Sequence, residues 1–284
     1  MKPAPFRYAR PENLADAVGL LAAGGPDVKI LAGGQSLVPM LNLRLARPAV
    51  LVDLNRVPGL AGITATPAGG LTIGALVRHA ALAETPLVRA RAPLLAEAAR
   101  HVGHPAIRHG GTLGGSLAHA DPAAELPAAL VALDAEFVLH GARGERTVPA
   151  SHFFLGLMAT ALAPDEILTA IRVPPHGPGW GFAEVARRAG DFALAGVAAL
   201  VTGSSARCES ARLVGFGAGD RPVRFTAAEE SLMNGALDPA AAARTCDPPD
   251  DVHASADYRR HLVAVLVEDA AGQALARLGR AQRT

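Results

Sequence analysis

Apolar and polar positions alternate in two rhythms along this chain, and the changes of rhythm mark its elements. Pro11 to Val18 reads as a capped first turn leading into an alanine- and leucine-rich helix that stops at Gly24-Gly25. Val28 to Ala32 is a short strand, broken by Gly33-Gly34. Ser36 to Arg47 carries Leu37, Met40, Leu41 and Leu45 at helical spacing, with Arg44 and Arg47 where a helix C-terminus favours cations. Ala49 to Leu54 and Leu71 to Gly74 read as strands, and Leu76 to Leu82 and Pro93 to Val102 as helical segments. From His104 a glycine-dense polar loop runs into an apolar helix ending near Leu133, followed by a hairpin, Phe137 to His140 and Arg146 to Val148. Glu166 to Val173 is a further strand. Pro174-Pro175 and the HGPG that follows, through Gly179, form the expected linker.

Beyond the linker the texture changes. Gly181 to Arg188, Ala193 to Thr202 and Ala211 to Gly217 read as strands; Thr226 to Leu232, Pro239 to Arg244 and Tyr258 to Leu278 read as helices. The pattern is α/β or α+β throughout, with a first domain over 1–175 and a smaller α+β domain over 176–284.

Composition narrows the function classes. The chain has 284 residues, half of them hydrophobic and only 4% aromatic, enough for two modest domains with real cores. Its net charge is +1 with both signs interspersed and no basic stripe, which argues against a nucleic-acid partner. No apolar run reaches the roughly 20 residues of a membrane span, and the N-terminus does not read as a signal peptide, so a cytoplasmic location is expected. Two cysteines, Cys208 and Cys246, cannot by themselves ligate an iron–sulfur cluster or a zinc knuckle.

The candidate chemistry lies in two glycine-rich stretches. Gly33-Gly34-Gln35-Ser36 follows a strand and opens a helix, the arrangement in which backbone N–H groups and a helix N-terminus receive phosphate oxygens. Gly110-Gly111-Thr112-Leu113-Gly114-Gly115-Ser116 offers a second N–H-rich turn with two hydroxyls. An ordinary strand–helix turn accounts for either stretch alone; two in one domain point to a dinucleotide, without saying which. There is no GxxxxGK[ST], and Gly215 to Asp220 has Asp220 where a last Rossmann glycine belongs. His101, His104, His109 and His119 match no metal-ligand spacing, and neither Ser36 nor Ser116 lies in GxSxG. Asp121 and Glu125 stand at the start of an apolar helix, where acids either cap or bind a ribose or adenine edge.

Three segments, AGGQSLVPMLNLRLARPAVLVDLNRV, GTLGGSLAHADPAAELPAAL and RRAGDFALAGVAA, together resemble the FAD-binding medium subunits of molybdenum hydroxylases. The likeness is to carbon monoxide dehydrogenase medium subunits, with xanthine dehydrogenase flavin domains further off, and it covers nearly the whole chain in order. It implies a two-lobed FAD-binding domain of the vanillyl-alcohol-oxidase type followed by a smaller α+β C-terminal domain. Ala32, Gly33, Gly34, Gln35, Ser36 and Leu37 would grip the FAD pyrophosphate, completed by Thr112, Gly114, Gly115 and Ser116. Asp121 and Glu125 would bind toward the adenosine half, and Leu168 would contact the flavin ring through its backbone.

This sequence departs from the family at Gln35, where relatives often carry His or Asn, and at Phe192, where they often carry Tyr or Trp near the flavin. It also has Ala183 and Glu184 near where xanthine dehydrogenases place a lysine. The partners implied are a large molybdenum-cofactor subunit and a small [2Fe–2S] subunit, in a dimer of heterotrimers. The activity implied is electron transfer from the clusters through FAD to an external acceptor such as a quinone, NAD or dioxygen. A flavin-free scaffold and a stand-alone flavin oxidase are the alternatives.

Overall fold

The computed structural model describes residues 2–204 and 207–281, in three successive α/β units. In the first, β1 (Arg7–Ala9), α1 (Leu14–Gly24), β2 (Val28–Leu31), α2 (Leu37–Asn42) and β3 (Val50–Asp53) form a parallel sheet of order β1-β3-β2 with α1 beside it. The Asn13 side chain accepts the Asp16 N–H at 2.9 Å and so starts α1, whose Ala17, Val18 and Leu21 are buried. The helix stops where Gly25 takes a φ of 54°, a conformation open to glycine.

The second unit is an antiparallel sheet of order β4-β5-β10-β6-β7 covered by helices. Its elements are β4 (Ile63–Ala65), β5 (Leu71–Gly74), α3 (His79–Glu84), α4 (Pro86–Arg91), α5 (Pro93–His101), α6 (Pro105–Gly110), α7 (Leu113–His119), α8 (Glu125–Ala132), β6 (Glu136–Gly141), β7 (Gly144–Pro149), α9 (Ala150–Phe153), β8 (Phe154–Gly156), β9 (Ala159–Thr160) and β10 (Ile167–Val173). All eight residues of α8 are buried, the mark of a helix enclosed on every side. It packs between α5 and the third unit, whose strands run antiparallel in the order β11-β12-β13-β14.

That unit comprises β11 (Gly179–Ala186), β12 (Ala193–Gly203), β13 (Cys208–Phe216), β14 (Val223–Arg224), α10 (Thr226–Met233), α11 (Pro239–Thr245) and the 26-residue α12 (Ala256–Ala281). Helix α12 lies across β11 and β12 at very short range, its Ala270, Ala271 and Ala274 buried in the contact. A Cβ on Gly181 would fall 1.9 Å from the Ala270 carbonyl oxygen, so only glycine lets the helix come down on the strand there. One core runs from the second unit into the third: Phe182, Ala198, Leu200, Val214 and Phe216 share a cluster with Leu94, Leu126, Leu130 and Phe137.

Three expectations need revising. The helix expected from Ser36 to Arg47 ends at Asn42, because Arg44 adopts a φ of 58° and turns the chain toward Pro48; Leu45 points into solvent. The helix expected from Leu76 begins at His79, since Leu76 and Leu113 donate across loops instead, to Leu60 and Val77. The polar loop expected to start at His104 is instead mostly helical, with α6 and α7 preceding α8.

Candidate cofactor site

The two glycine stretches meet across the first and second units. A Cβ on Gly33 would stand 2.4 Å from the Gly110 carbonyl oxygen, 2.8 Å from Gly111 Cα and 3.0 Å from the Thr112 nitrogen. Two backbones therefore touch where any side chain would part them. Gly34 follows with a φ of 71°, which bends the chain out of β2 and into α2. In this turn Val38 is the first residue to donate backwards, to the Gly34 carbonyl at 2.9 Å. Among the described residues, no protein acceptor meets the N–H groups of Gly33, Gly34, Gln35, Ser36 and Leu37. The Gln35 side chain folds back, its Nε2 donating to the Gly33 carbonyl at 3.2 Å.

In the second stretch the amides have partners within the chain. Leu113 N–H donates to the Val77 carbonyl at 2.9 Å, Gly114 to Ala75 at 2.8 Å, Gly115 to Thr112 Oγ1 at 3.2 Å and Ser116 to the Thr112 carbonyl at 3.0 Å. These amides dock and cap α7 rather than stand open. Gly114 has a reason of its own, since its Cβ would come within 2.5 Å of Ala75 Cβ. Thr112 is the N-cap, and its own N–H, beside Gly33, has no acceptor among the described residues. The open donors of the seam thus come chiefly from Gly33 to Leu37, with Thr112 opposite.

Two side chains that sequence reading passed over tie the stretches together. Asn55 Nδ2 donates to the Ala32 carbonyl at 2.8 Å, and Asn55 Oδ1 accepts from Arg78 Nη2 at 2.6 Å. Arg78 Nη1 donates in turn to the Gly110 carbonyl. Asp53, at the end of β3, accepts from Asn55 N at 2.9 Å and Nδ2 at 2.6 Å, while its other oxygen takes the Tyr8 hydroxyl and lies 3.5 Å from Arg10 Nε. Burial alone would push the Asp53 carboxyl up; the hydrogen bonds from Tyr8 and Asn55 outweigh it and hold the group below its usual range. His79 is buried behind Gly111 with both ring nitrogens unpartnered, and burial pushes it down to about 4, so its ring is neutral. The only hint in the sequence was polar residues closing an apolar strand (VDLN) and interrupting an apolar segment (LVRHAAL).

The remaining candidate residues sit apart from the glycine contact. Asp121 Oδ1 accepts the Ala123 N–H at 2.9 Å, the turn-capping option. Glu125, first residue of α8, is buried and pushed up to about 8, first by burial and then by the charges of Glu184 and Asp121. It faces a cluster at the seam with the third unit, in which His101 at the end of α5 lies 3.1 Å from Glu184 on β11 and 3.5 Å from Glu97. The two carboxylates lift His101 to about 9. Glu184 on β11 is thus a carboxylate whose cation comes from α5. Leu168 is buried on β10 where the pairing with β6 slips by one residue; Thr169 at that slip accepts the Ala75 N–H at 2.9 Å, and the Ala75 carbonyl, just past β5, in turn takes the Gly114 N–H at the start of α7. Phe192 is 70% exposed. Among the described residues, no group of three or more His, Cys, Asp or Glu could hold a metal ion, and no helix is long and apolar enough to cross a membrane.

An open row of amides at a strand–helix turn, fixed against a second loop, suits a diphosphate. The comparisons with known proteins agree. Residues 4–176 match the FAD binding domain in molybdopterin dehydrogenase, and residues 180–274 match the CO dehydrogenase flavoprotein C-terminal domain. The chain is 44% identical to the 6-hydroxypseudooxynicotine dehydrogenase complex subunit alpha of Paenarthrobacter nicotinovorans, covering 98% of this chain and 97% of that protein. Its fold superimposes on a chain of the carbon monoxide dehydrogenase of Hydrogenophaga pseudoflava with a TM-score of 0.94 at 39% identity, covering 98% of this chain and all of the other. On a chain of quinoline 2-oxidoreductase from Pseudomonas putida 86 the TM-score is 0.91 at 36% identity, with 97% and 99% covered. Continuous matches over both halves, at these identities, place the chain in the family of FAD-binding medium subunits of molybdenum hydroxylases, of the carbon monoxide and xanthine dehydrogenase type.

Proposed function

We propose that this chain binds FAD at the seam between its first two units and serves as the electron outlet of a molybdenum-containing dehydrogenase. The observation that carries this is the row of unpaired N–H groups from Gly33 to Leu37, held against Gly110 to Thr112 by a contact that only glycine permits. In this reading those amides, with Thr112 opposite, receive the diphosphate; Ala32, Gly114, Gly115 and Ser116 shape the loops around it. Asp121, Glu125 and Leu168 lie toward the rest of the cofactor. Bound flavin supplies reversible uptake of two electrons, which lets it join one-electron clusters to a two-electron acceptor. The protein binds, orients and shields it.

The electrons come, in this proposal, from [2Fe–2S] clusters on a small partner subunit, reduced by a large subunit that holds the molybdenum cofactor and chooses the substrate. The third unit, 176–284, completes the subunit on the far side of the His101–Glu184 seam. Exposed Leu155, Leu157 and Met158 on the β8–β9 hairpin and Leu43 and Leu45 after α2 are apolar surface suited to such partners.

The test is an absorbance spectrum of the purified chain after incubation with FAD and desalting, alone and with the partner subunits. Retained flavin bands are expected, and Gly33→Val is expected to abolish them. A chain that retains no flavin in either setting is a scaffold instead.

A further inference from the structure

We infer that Asn55 and Arg78 form a brace that aims the open amide row at its anionic ligand, making them positioning residues for the cofactor rather than general supports of the fold. The inference rests on the flavin-binding reading above. Its observation is where the brace ends. Asn55 Nδ2 holds the Ala32 carbonyl, the peptide whose other half is the N–H of Gly33, first in the open row. Arg78 Nη1 holds the Gly110 carbonyl, the atom nearest to where a Gly33 Cβ would lie. A peptide unit is planar with its C=O and N–H opposed, so fixing the Ala32 oxygen on one side turns the Gly33 N–H to the other.

The brace is also chemically directional. Asn55 has two acceptors, Ala32 O and Asp53 Oδ1, against Nδ2 and a cationic donor, Arg78 Nη2, against Oδ1. Only one orientation of the amide satisfies all three, and Asp53 is itself held by Tyr8 and Arg10. Asn55→Asp keeps the shape but loses the donor to Ala32 and sets a second carboxylate against Asp53. Arg78→Lys keeps the charge but cannot span both acceptors with a planar fork. Neither residue is in the glycine stretches, and the bonds to Ala32 and Gly110 and between Asn55 and Arg78 cross between segments far apart in sequence.

The experiment uses the full chain, with partner subunits present if the wild type needs them to retain FAD. For wild type, Asn55→Asp, Asn55→Ala, Arg78→Lys and Arg78→Ala it measures the FAD release rate, the melting temperature of the cofactor-free protein, and displacement of FAD by inorganic pyrophosphate. The brace predicts FAD release about 10- to 100-fold faster in all four variants, as loss of a charge-assisted bond implies. It also predicts weaker pyrophosphate competition in all four and, for the two Arg78 variants, cofactor-free melting close to wild type. Unchanged release overturns the inference. So does faster release with lowered melting and unchanged pyrophosphate affinity, since that is plain destabilisation. A wild type that never retains FAD overturns the flavin reading itself, an outcome the variants cannot produce.

Discussion

At Gly33 a single hydrogen atom is all that separates two segments of main chain. Gly33→Ala puts a methyl 2.4 Å from a carbonyl oxygen that belongs to backbone and cannot swing away. A cost of about 1–3 kcal/mol in stability is expected, with loss of flavin retention, checked by thermal melting and desalting. Thr112→Ala removes the cap of α7 and is expected to cost about 1 kcal/mol, again by melting. Asp53 carries a pH signature. Its folded carboxyl lies below its unfolded value, so its stabilising contribution is complete above the unfolded value, about 4, and is lost as pH falls through the folded one. Denaturant unfolding between pH 5 and pH 3 should show a steeper acid loss in wild type than in Asp53→Asn. The glycines were legible because a glycine pair breaking an apolar run is itself a signal. Asn55 and Arg78 were not, because a polar residue at the end of a strand or before a helix says nothing about a partner 23 or 32 positions away.

Helix α5 and strand β11 are joined by an ion pair whose strength follows pH. His101 sits between Glu97 and Glu184, and Glu184 Oε2 is buried without a partner of its own. A histidine with its folded pKa raised to about 9 stabilises fully below its unfolded value, about 6.5, and that contribution fades as pH rises through 9. Stability measured from pH 6 to pH 10 should decline in wild type more than in His101→Gln. His101→Ala should cost about 1–3 kcal/mol at neutral pH by leaving a buried carboxylate unanswered, a loss that Glu184→Gln in the same chain partly restores. Elements with strong periodicity, such as α1, β10 and α12, were readable from sequence. The α2 region was not: leucines at helical spacing continue past Asn42, but Arg44 in a left-handed conformation ends the helix, and spacing carries no information about φ. That the amides at the start of α7 have partners within the chain was not legible for a related reason. Glycines advertise exposed N–H groups, yet Ala75, well upstream, takes that of Gly114, and the Thr112 hydroxyl takes that of Gly115.

Over the whole molecule, the two family matches divide the chain at residues 176–180, but the core does not divide there. Phe182 and Phe216, their rings stacked 5.7 Å apart, belong to the same cluster as the helices of the second unit. A chain ending at Pro175 is therefore expected to expose the apolar flank of α8, bind a hydrophobic dye and unfold without a sharp transition, in contrast to the cooperative melting of the full chain. That shared core has a consequence for synthesis. The chain leaves the ribosome N-terminus first, so both glycine stretches emerge before the strands that close the core behind them. Until residue 216 is free, the second unit lacks part of its core and leaves apolar surface exposed. The order of manufacture thus sets the completion of the fold late: a nascent chain can present its Gly33 turn early, but a settled seam between the units waits for the last strands.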